Sequence, residues 1–544
     1  MSASHPAPAR QAPPGPPPSG LRHNYKADLT AGFLVFLIAL PLCLGISMAS
    51  NFPPISGVLT AIIGGLLATF FGSAPLTIKG PAAGLIVIAL GAVTELGGGD
   101  AAVGYRRALA VGVVAAAIQI VLALIRAGRL AQVFPASVVH GMLAAIGVII
   151  FAKQAHVALG VSPAAKAPLD LLAEIPHSIA HMNPLIAMIG VGSLVILALW
   201  PRLAPGKLRK IPAPLVVLVA ALPASLAFGL TEMHDYIFAG HHWTVGPNSL
   251  VSLPGSLLNA VAFPDFSQIG SAVSIKYVVM FALVGSIESL LSAKAVDALD
   301  PWRRSSDLDR DLLATGVANL AASFVGGLPM ISEIVRSSAN IANGARTRWA
   351  NFFHGAFLLA FVALLPGLVQ LIPLAALAAM LVYTGVRLAS PAEFRRTWVI
   401  GWDQMVVFLA TMITTLATDL LVGVGVGIVV KIALHLVRGA PISRLWKAEV
   451  EPVLEGDDGV RLVVRAPAIF TNFLGLQRHL SAAKRRRVVI DLTGAALVDH
   501  TVMEKLHDLV DAFAREGRTL EIHGLEALQA SSSHPLASHR LRRS

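Results

Sequence analysis

The sequence predicts an all-α polytopic membrane domain with a small α/β domain behind it, and three observations predict this. Only 13% of the 544 residues are charged, 55% are hydrophobic, and the mean hydropathy is +0.71. A soluble chain carries about twice that charged fraction. Apolar stretches recur at roughly the 20-residue length that a helix needs to cross a bilayer. After Arg438 the composition changes, and short β-rich runs alternate with an amphipathic stretch at 502–515.

The spanning stretches are residues 29–49, 57–71, 108–125, 138–151, 185–200, 211–230, 277–291, 352–365, 373–386 and 405–431. Residues 1–22 have no signal-peptide core, and their proline density reads as a disordered tail. The membrane domain is expected over 23–440, the α/β domain over 446–530 and a disordered basic tail over 531–544. A net charge of +11 would fit a nucleic-acid binder, but the basic residues are dispersed into short loops between spans. With a cytoplasmic N-terminus and fourteen passages, Arg126, Arg129, Arg202, Lys207, Arg209, Lys210, Arg303, Arg304 and Arg310 fall inside, as do Arg346, Arg348, Arg395 and Arg396. Only Arg106, Arg107, Lys153 and Lys166 fall outside. That bias places both termini in the cytoplasm. Cys43 is the only cysteine, so an intrachain disulfide is excluded, and within a span it reads as a small buried hydrophobe.

Two spans are interrupted in the same way. Residues 70–88 read FFGSAPLTIKGPAAGLIVI and residues 324–342 read FVGGLPMISEIVRSSANIA. Phe70, Gly72 and Pro75 coincide with Phe324, Gly326 and Pro329, which sets Lys79 against Glu333 and the turn 81–83 against 335–337. Paired interruptions in two halves point to inverted repeats, here of about seven passages each. A helix that restarts inside the membrane turns its unpaired N–H groups and positive dipole end toward a cavity. Two such ends facing each other make an anion site. Small residues at Gly80, Ala82, Ala83 and Gly84 would let an ion approach the backbone, with Pro81 in the turn, and Ser337 and Ser338 would add hydroxyl donors. The plainer alternative is that Gly and Pro merely kink two packed helices.

Charge inside a span costs on the order of 2.5–3.5 kcal/mol and marks a functional candidate. Glu288 stands in an otherwise apolar run, with Ser292 one turn later on the same face. Together they would coordinate Na⁺, or Glu288 alone would exchange a proton; a bond to a neighbouring helix is the structural alternative. Glu333 would complete a cation site with Glu288 or pair with Lys79. Arg336 would offset the desolvation of Glu333 or add positive potential to the anion site.

The segment VVIDLTGAALVDHTVMEKL resembles the central strand and following helix of a STAS domain. Asp499, His500 and Thr501 stand where relatives of that fold carry a phosphorylatable serine, and Thr501 reads as an N-cap with Glu504 closing a capping box. The runs IESLLSAKAVDALD, GGLPMISEIVRSSANIANGARTRWANFFHG and PLTIKGPAAGL, with this C-terminal domain, resemble the SulP anion transporters over roughly 24–525. That family includes sulfate permeases, bicarbonate transporters and prestin. The resemblance implies fourteen transmembrane segments as 7+7 inverted repeats with core and gate domains, a fold shared with uracil transporters, and an elevator-type homodimer. It implies an anion held at Gly80, Pro81, Ala82 and Ala83 against Val335, Arg336 and Ser337, with Leu42 and Ile46 beside it. It implies cation coupling through Glu288 and Ser292, joined by Ser332, Glu333 and Ile334.

The expected activity is therefore secondary transport of a small inorganic anion, bicarbonate ahead of sulfate, coupled to Na⁺ or H⁺, in the plasma (cell inner) membrane. A nucleobase carrier of the same fold, and an anion channel or voltage-responsive protein, are the alternatives. No organic cofactor, nucleic acid or enzymatic centre is expected; His241 and His242 lack a third ligand at metal spacing. Membrane lipid, a second copy of the chain and a cytoplasmic regulator at the C-terminal domain are the expected partners.

Overall fold

The computed structural model describes residues 20–128, 134–165, 167–206, 208, 211–252, 260–302, 304–455, 458–483 and 485–541. The expected N-terminal tail to residue 19, and the loop residues Arg129, Lys166, Lys207, Arg209, Lys210 and Arg303, lie outside them. Eight helices among the described residues are long and apolar enough to cross a membrane, and four shorter apolar helices accompany them. The chain divides into two compact units, Met1–Arg126 with Ile196–Leu377, and Ala127–Val195 with Ala378–Ser544.

The first unit opens with α1 (Leu21–Ala49), α2 (Pro54–Leu66) and the one-turn α3 (Ala68–Phe71), then β1 (Ile78–Pro81), α4 (Ile86–Gly97) and α5 (Ala101–Leu124). Pro54 starts α2 at a position where the missing N–H costs nothing. Asp100 caps α5 by accepting from Ala102 and Val103. The next helices are α6 (Ala136–Ala158) and α7 (Pro168–Ala180) of the second unit, α8 (Pro184–Leu203), and α9 (Ala213–Ala227) back in the first. An exposed hairpin, β2 (His234–Phe238) with β3 (His241–Val245), carries His241 and His242.

The first unit continues through α10 (Ala272–Leu299), α11 (Leu308–Phe324), β4 (Met330–Glu333), α12 (Ile334–Ala342), α13 (Trp349–Leu364) and the short α14 (Pro366–Gln370). Helix α11 was not among the expected spans, because Asp309, Arg310 and Asp311 crowd its first turn. It nonetheless buries Asp311, Thr315, Asn319 and Ser323 along one face.

The second unit resumes in α15 (Leu374–Leu388), followed by α16 (Pro391–Ile400), α17 (Trp402–Ala417) and α18 (Leu420–Val437). The expected single stretch 405–431 is thus two helices. Asp419 divides it: extended itself, it caps α18 by accepting from Val422 N at 2.9 Å.

The C-terminal strands are β5 (Val450–Glu455), β6 (Gly459–Val464), β7 (Arg487–Asp491), β8 (Leu497–Val498), β9 (Thr519–His523), β10 (Leu528–Ala530) and β11 (His539–Leu541), with α19 (Phe473–Ala482) and α20 (His500–Arg515) between them. The larger sheet has the order β5-β6-β7-β9, antiparallel only at its β5 edge. Its alternating Val460, Leu462 and Val464, with Val488 and Ile490, pack on Phe473, Leu476, Val502 and Leu506 of the helices.

Two details differ from expectation here. Residues 531–541 are folded rather than a disordered tail: β11 pairs with both β10 and β8, and Ser538 is buried. The cap of α20 is Asp499, which accepts from Val502 N at 2.8 Å, and not Thr501, whose hydroxyl is buried in the first turn without a partner among the described residues. Asp499 is the better cap because its carboxylate also accepts from Phe470 N at 3.0 Å, tying two loops together. With Thr501 only 1% exposed, the loop is closed to a modifying enzyme.

This domain is fastened to α17 and α18 by a buried polar cluster. Asp403 Oδ2 accepts from Arg438 Nη1 at 2.7 Å, Ser538 Oγ at 2.8 Å and Gln404 Nε2 at 2.6 Å. Gln404 Oε1 accepts from Lys431 Nζ at 2.9 Å, and His435 Nε2 lies 3.5 Å from Asp499 Oδ2.

Candidate functional site

The two interruptions meet. Strands β1 and β4 pair antiparallel, with Ile78 opposite Glu333, Lys79 opposite Ser332, Gly80 opposite Ile331 and Pro81 opposite Met330. Gly326 makes the second break possible, since its φ of +99° is a conformation that side chains resist. Tyr105 Oη donates to Gly326 O at 2.8 Å, and Thr60 Oγ1 donates to Leu328 O at 2.9 Å. Asn319 mimics a strand neighbour: its Oδ1 accepts from Met330 N at 2.6 Å and its Nδ2 donates to Met330 O at 3.0 Å. Asn351 Oδ1 accepts from Lys79 N, and Ser337 Oγ from Ile78 N. Side chains thereby satisfy backbone groups that a helix would have paired, as an apolar surrounding demands.

Beyond the strands each chain turns into a helix, but not in the same register. Helix α12 starts at Ile334 directly after β4, because the Glu333 carboxylate accepts from Arg336 N at 3.0 Å and closes the first turn. The first copy has no such cap. Ala82 stays extended, a 3-10 turn covers Ala83–Leu85, and α4 follows. The expected match of 81–83 with 335–337 therefore shifts by three residues, so that Ala83 corresponds to Ile334.

Several expected roles change with the side chains in view. Glu333 does not pair with Lys79; it caps α12, and Lys79 Nζ lies 2.5 Å from Asp311 Oδ2. The hydroxyls of Ser337 and Ser338 donate to Glu333 O and Ile334 O within their own helix, so neither proton is free for an anion. The hydroxyl of α10 that reaches β4 is Ser289, which accepts from Ser332 N at 3.1 Å, rather than the half-buried Ser292.

The two glycines thought to admit an ion instead admit charged side chains. A Cβ on Gly80 would overlap Arg336 Nη1, and a Cβ on Gly84 would lie 2.5 Å from Glu288 Oε2 and 2.7 Å from its Cδ. Arg336 is 1% exposed; its Nη2 donates to Pro81 O at 3.1 Å, while Nε and Nη1 have no partner among the described residues. Glu288 Oε1 is also buried without one. The Cys43 thiol and the His354 ring lie within electrostatic range of the guanidinium. Ile46, Pro81, Ala82, Ser332 and Ser337 are buried, Leu42 and Ala83 are half-buried, and Ile334 and Val335 are exposed. Asp311, Asn319, Asn351 and Ser289 were not foreseen as parts of this site. An unpaired lysine inside a span was the one signal that a carboxylate had to stand nearby.

Because the Glu288 carboxylate fills the space over Gly84, Gly84→Ala should displace it. The expected cost is about 0.5–3 kcal/mol in wild type and close to none in a Glu288→Ala background, read as a double-mutant cycle on thermal unfolding. Equal costs in both backgrounds would show that the two do not touch.

Eight long apolar helices among the described residues, with two broken spans paired at their breaks, fit a multi-pass membrane protein. A model of the sulfate permease family matches residues 25–411, and the chain belongs to that family. The putative sulfate transporter YvdB of Bacillus subtilis is 24% identical over 512 residues, covering 93% of this chain and 92% of its own. The bicarbonate transporter BicA of Picosynechococcus sp. is 25% identical over 442 residues, covering 81% and 74%. Among solved structures, the transmembrane domain of a cyanobacterial BicA superposes with a TM-score of 0.62 at 24% identity, over 75% of this chain and 99% of that one. The murine Slc26a9 anion transporter in its inward-facing state gives 0.67 at 16% identity, over 93% and 86%. At these identities the likeness establishes the fold. The chain is a transporter-family protein and not an enzyme.

Proposed function

We propose that the chain is a secondary active transporter of small inorganic anions, with bicarbonate ahead of sulfate. One observation carries this reading: two broken spans, far apart in sequence, pair antiparallel and lead on into helices, α12 directly after β4 and α4 through a 3-10 turn. The first N–H groups of a helix lack intrahelical partners and attract negative charge. The anion would sit by Pro81, Ala82 and Ala83 on one side and Val335, Arg336 and Ser337 on the other, with Leu42 and Ile46 beside it. Gly80 would serve by leaving room for Arg336. The relatives named for sulfate and bicarbonate transport support the substrate class.

The eight long helices, the four shorter ones, α11 and α12 would be the fourteen segments, arranged as two inverted sevens. An elevator-type motion of one body against another would carry the anion across. Residues 446–530 would be a STAS domain, extended by β11 and its neighbours, in a homodimer whose termini face the cytoplasm of a cell limited by its plasma membrane. Since Thr501 is enclosed, a regulator would dock away from that loop.

Coupling would run through Glu288, whose free Oε1 suits a proton or a cation, with Ser292 one turn along α10 and Glu333 within electrostatic range. Ser332 and Ile334, also implied by the resemblance, would act by shaping β4 and the start of α12. Reconstituted uptake of labelled bicarbonate, sulfate and uracil, with and without Na⁺ or pH gradients, tests the proposal. Gradient-driven accumulation of an inorganic anion is expected; uracil uptake would make the chain a nucleobase carrier, and gradient-independent flux a channel. Glu288→Gln removes charge without volume and should abolish accumulation while leaving the fold intact. Undiminished concentrative uptake in that variant would take Glu288 out of the mechanism.

A further inference from the structure

The Lys79–Asp311 pair is used by none of these steps. Lys79 starts on β1, and its side chain reaches both of the other elements that hold the broken spans. Its Nζ is 2.5 Å from Asp311 Oδ2 on α11 and also donates to Ser332 Oγ on β4. The lysine and aspartate side chains are 3% and 1% exposed. Ser332 Oγ donates to the same Asp311 oxygen at 3.0 Å. Ser289 Oγ of α10 stands 3.3 Å from Ser332 Oγ and 3.4 Å from Thr315 Oγ1 of α11.

A carboxylate of α11 and a hydroxyl of β4 thus hold one ammonium, and the Ser289 and Thr315 hydroxyls continue the same hydrogen-bonded chain behind Ser332. Carboxylate and neutral oxygens are what a hard metal cation takes. A buried carboxylate without a counter-charge is costly, so something positive has to stand here. The chain supplies it covalently, from a residue whose strand is itself paired with Ser332.

We propose that Lys79 is a tethered cation: its ammonium fills an oxygen cage that would otherwise take a free monovalent metal ion. The junction of the broken spans is then held by an internal charge that cannot dissociate. Ser332 faces that ammonium instead of a travelling ion. If the chain is the coupled carrier proposed above, on which this consequence rests, any coupling cation is confined to the neighbourhood of Glu288.

Thermal unfolding of the purified full-length protein in NaCl against choline chloride, at equal ionic strength, tests this without any transport measurement. Lys79→Ala empties the cage and should create a saturable Na⁺ stabilisation, roughly 2–4 °C beyond any seen in wild type. The double variant Lys79→Ala/Asp311→Asn should lose that increment. A Lys79→Ala protein that folds only in Na⁺ counts equally in favour. The proposal is overturned if the single variant folds with no added Na⁺ response, if it is unfolded in both salts, or if the response survives in the double variant. Absence of anion uptake by wild type would bear on the transport reading alone, since these melts do not involve it.

Discussion

Asp403→Ala is expected to destabilise the second unit by about 3–5 kcal/mol, the usual result of leaving a buried charge without its partner. The Asp403 carboxylate accepts three hydrogen bonds through one oxygen, from Arg438, Ser538 and Gln404. Gln404 in turn holds the Lys431 ammonium, which would also lose a nearby negative charge. Arg438 would keep its stacking over Trp402, 5.1 Å from the ring, but not its counter-charge. Exposed ion pairs of this chain, such as Arg465–Glu451, should by contrast contribute at most about 1 kcal/mol. The melting temperature of Asp403→Ala in detergent checks the expectation. A paired replacement, Asp403→Leu with Arg438→Met, should recover most of the loss, because apolar substitutes for a buried pair are often neutral. An unchanged melting temperature in the single variant would mean that water reaches the cluster.

The same cluster explains what a truncation near Pro441 would do. Every proposed anion-site residue lies upstream of the cut, so binding should persist. The cut would, however, remove Ser538 and Asp499 from Asp403 and His435, and strip Leu445, Ile469 and Leu497 from Ala440 and Ile432. The C-terminal domain is thus part of the packing of α17 and α18.

Spans with one dominant property were legible in the sequence. Helices α1 and α5 are apolar along their length, and hydropathy finds them. The break at Gly326 and Pro329 was legible because glycine with φ > 0 and proline leave few alternatives. What escaped was decided by partners distant in sequence. Helix α11 looks too polar to span until Asp311 is seen against Lys79 and Asn319 against Met330, 232 and 11 residues away. The three-residue shift between the repeats escaped because Glu333 acts as a cap only once α12 begins beside it. Ser538 sits in a stretch that reads as a basic tail, and its burial depends on Asp403, 135 residues earlier.

Arg336→Met should weaken anion binding by roughly 10- to 150-fold, about 1.5–3 kcal/mol for a charge-assisted hydrogen bond, while leaving the protein at least as stable. The two halves of that expectation have one cause. The guanidinium is buried against Gly80 and Pro81 at the point where β1 gives way to the first half-helix, and two of its nitrogens have no partner among the described residues. A buried cation in that condition costs stability until an anion arrives, so methionine of similar length removes the cost and the attraction together. The Glu333 carboxylate makes its hydrogen bond to the backbone N–H of Arg336. Ala83→Leu gives the complementary loss: Ala83 opens the 3-10 turn and is half-buried, so added bulk should exclude the ion from the helix end with little effect on the fold. Calorimetric titration of both purified variants with bicarbonate and with sulfate separates the contributions. Normal binding by Arg336→Met would leave the helix ends as the whole site. Normal binding by Ala83→Leu, with none by Arg336→Met, would replace the helix-end site by a side-chain site centred on the guanidinium.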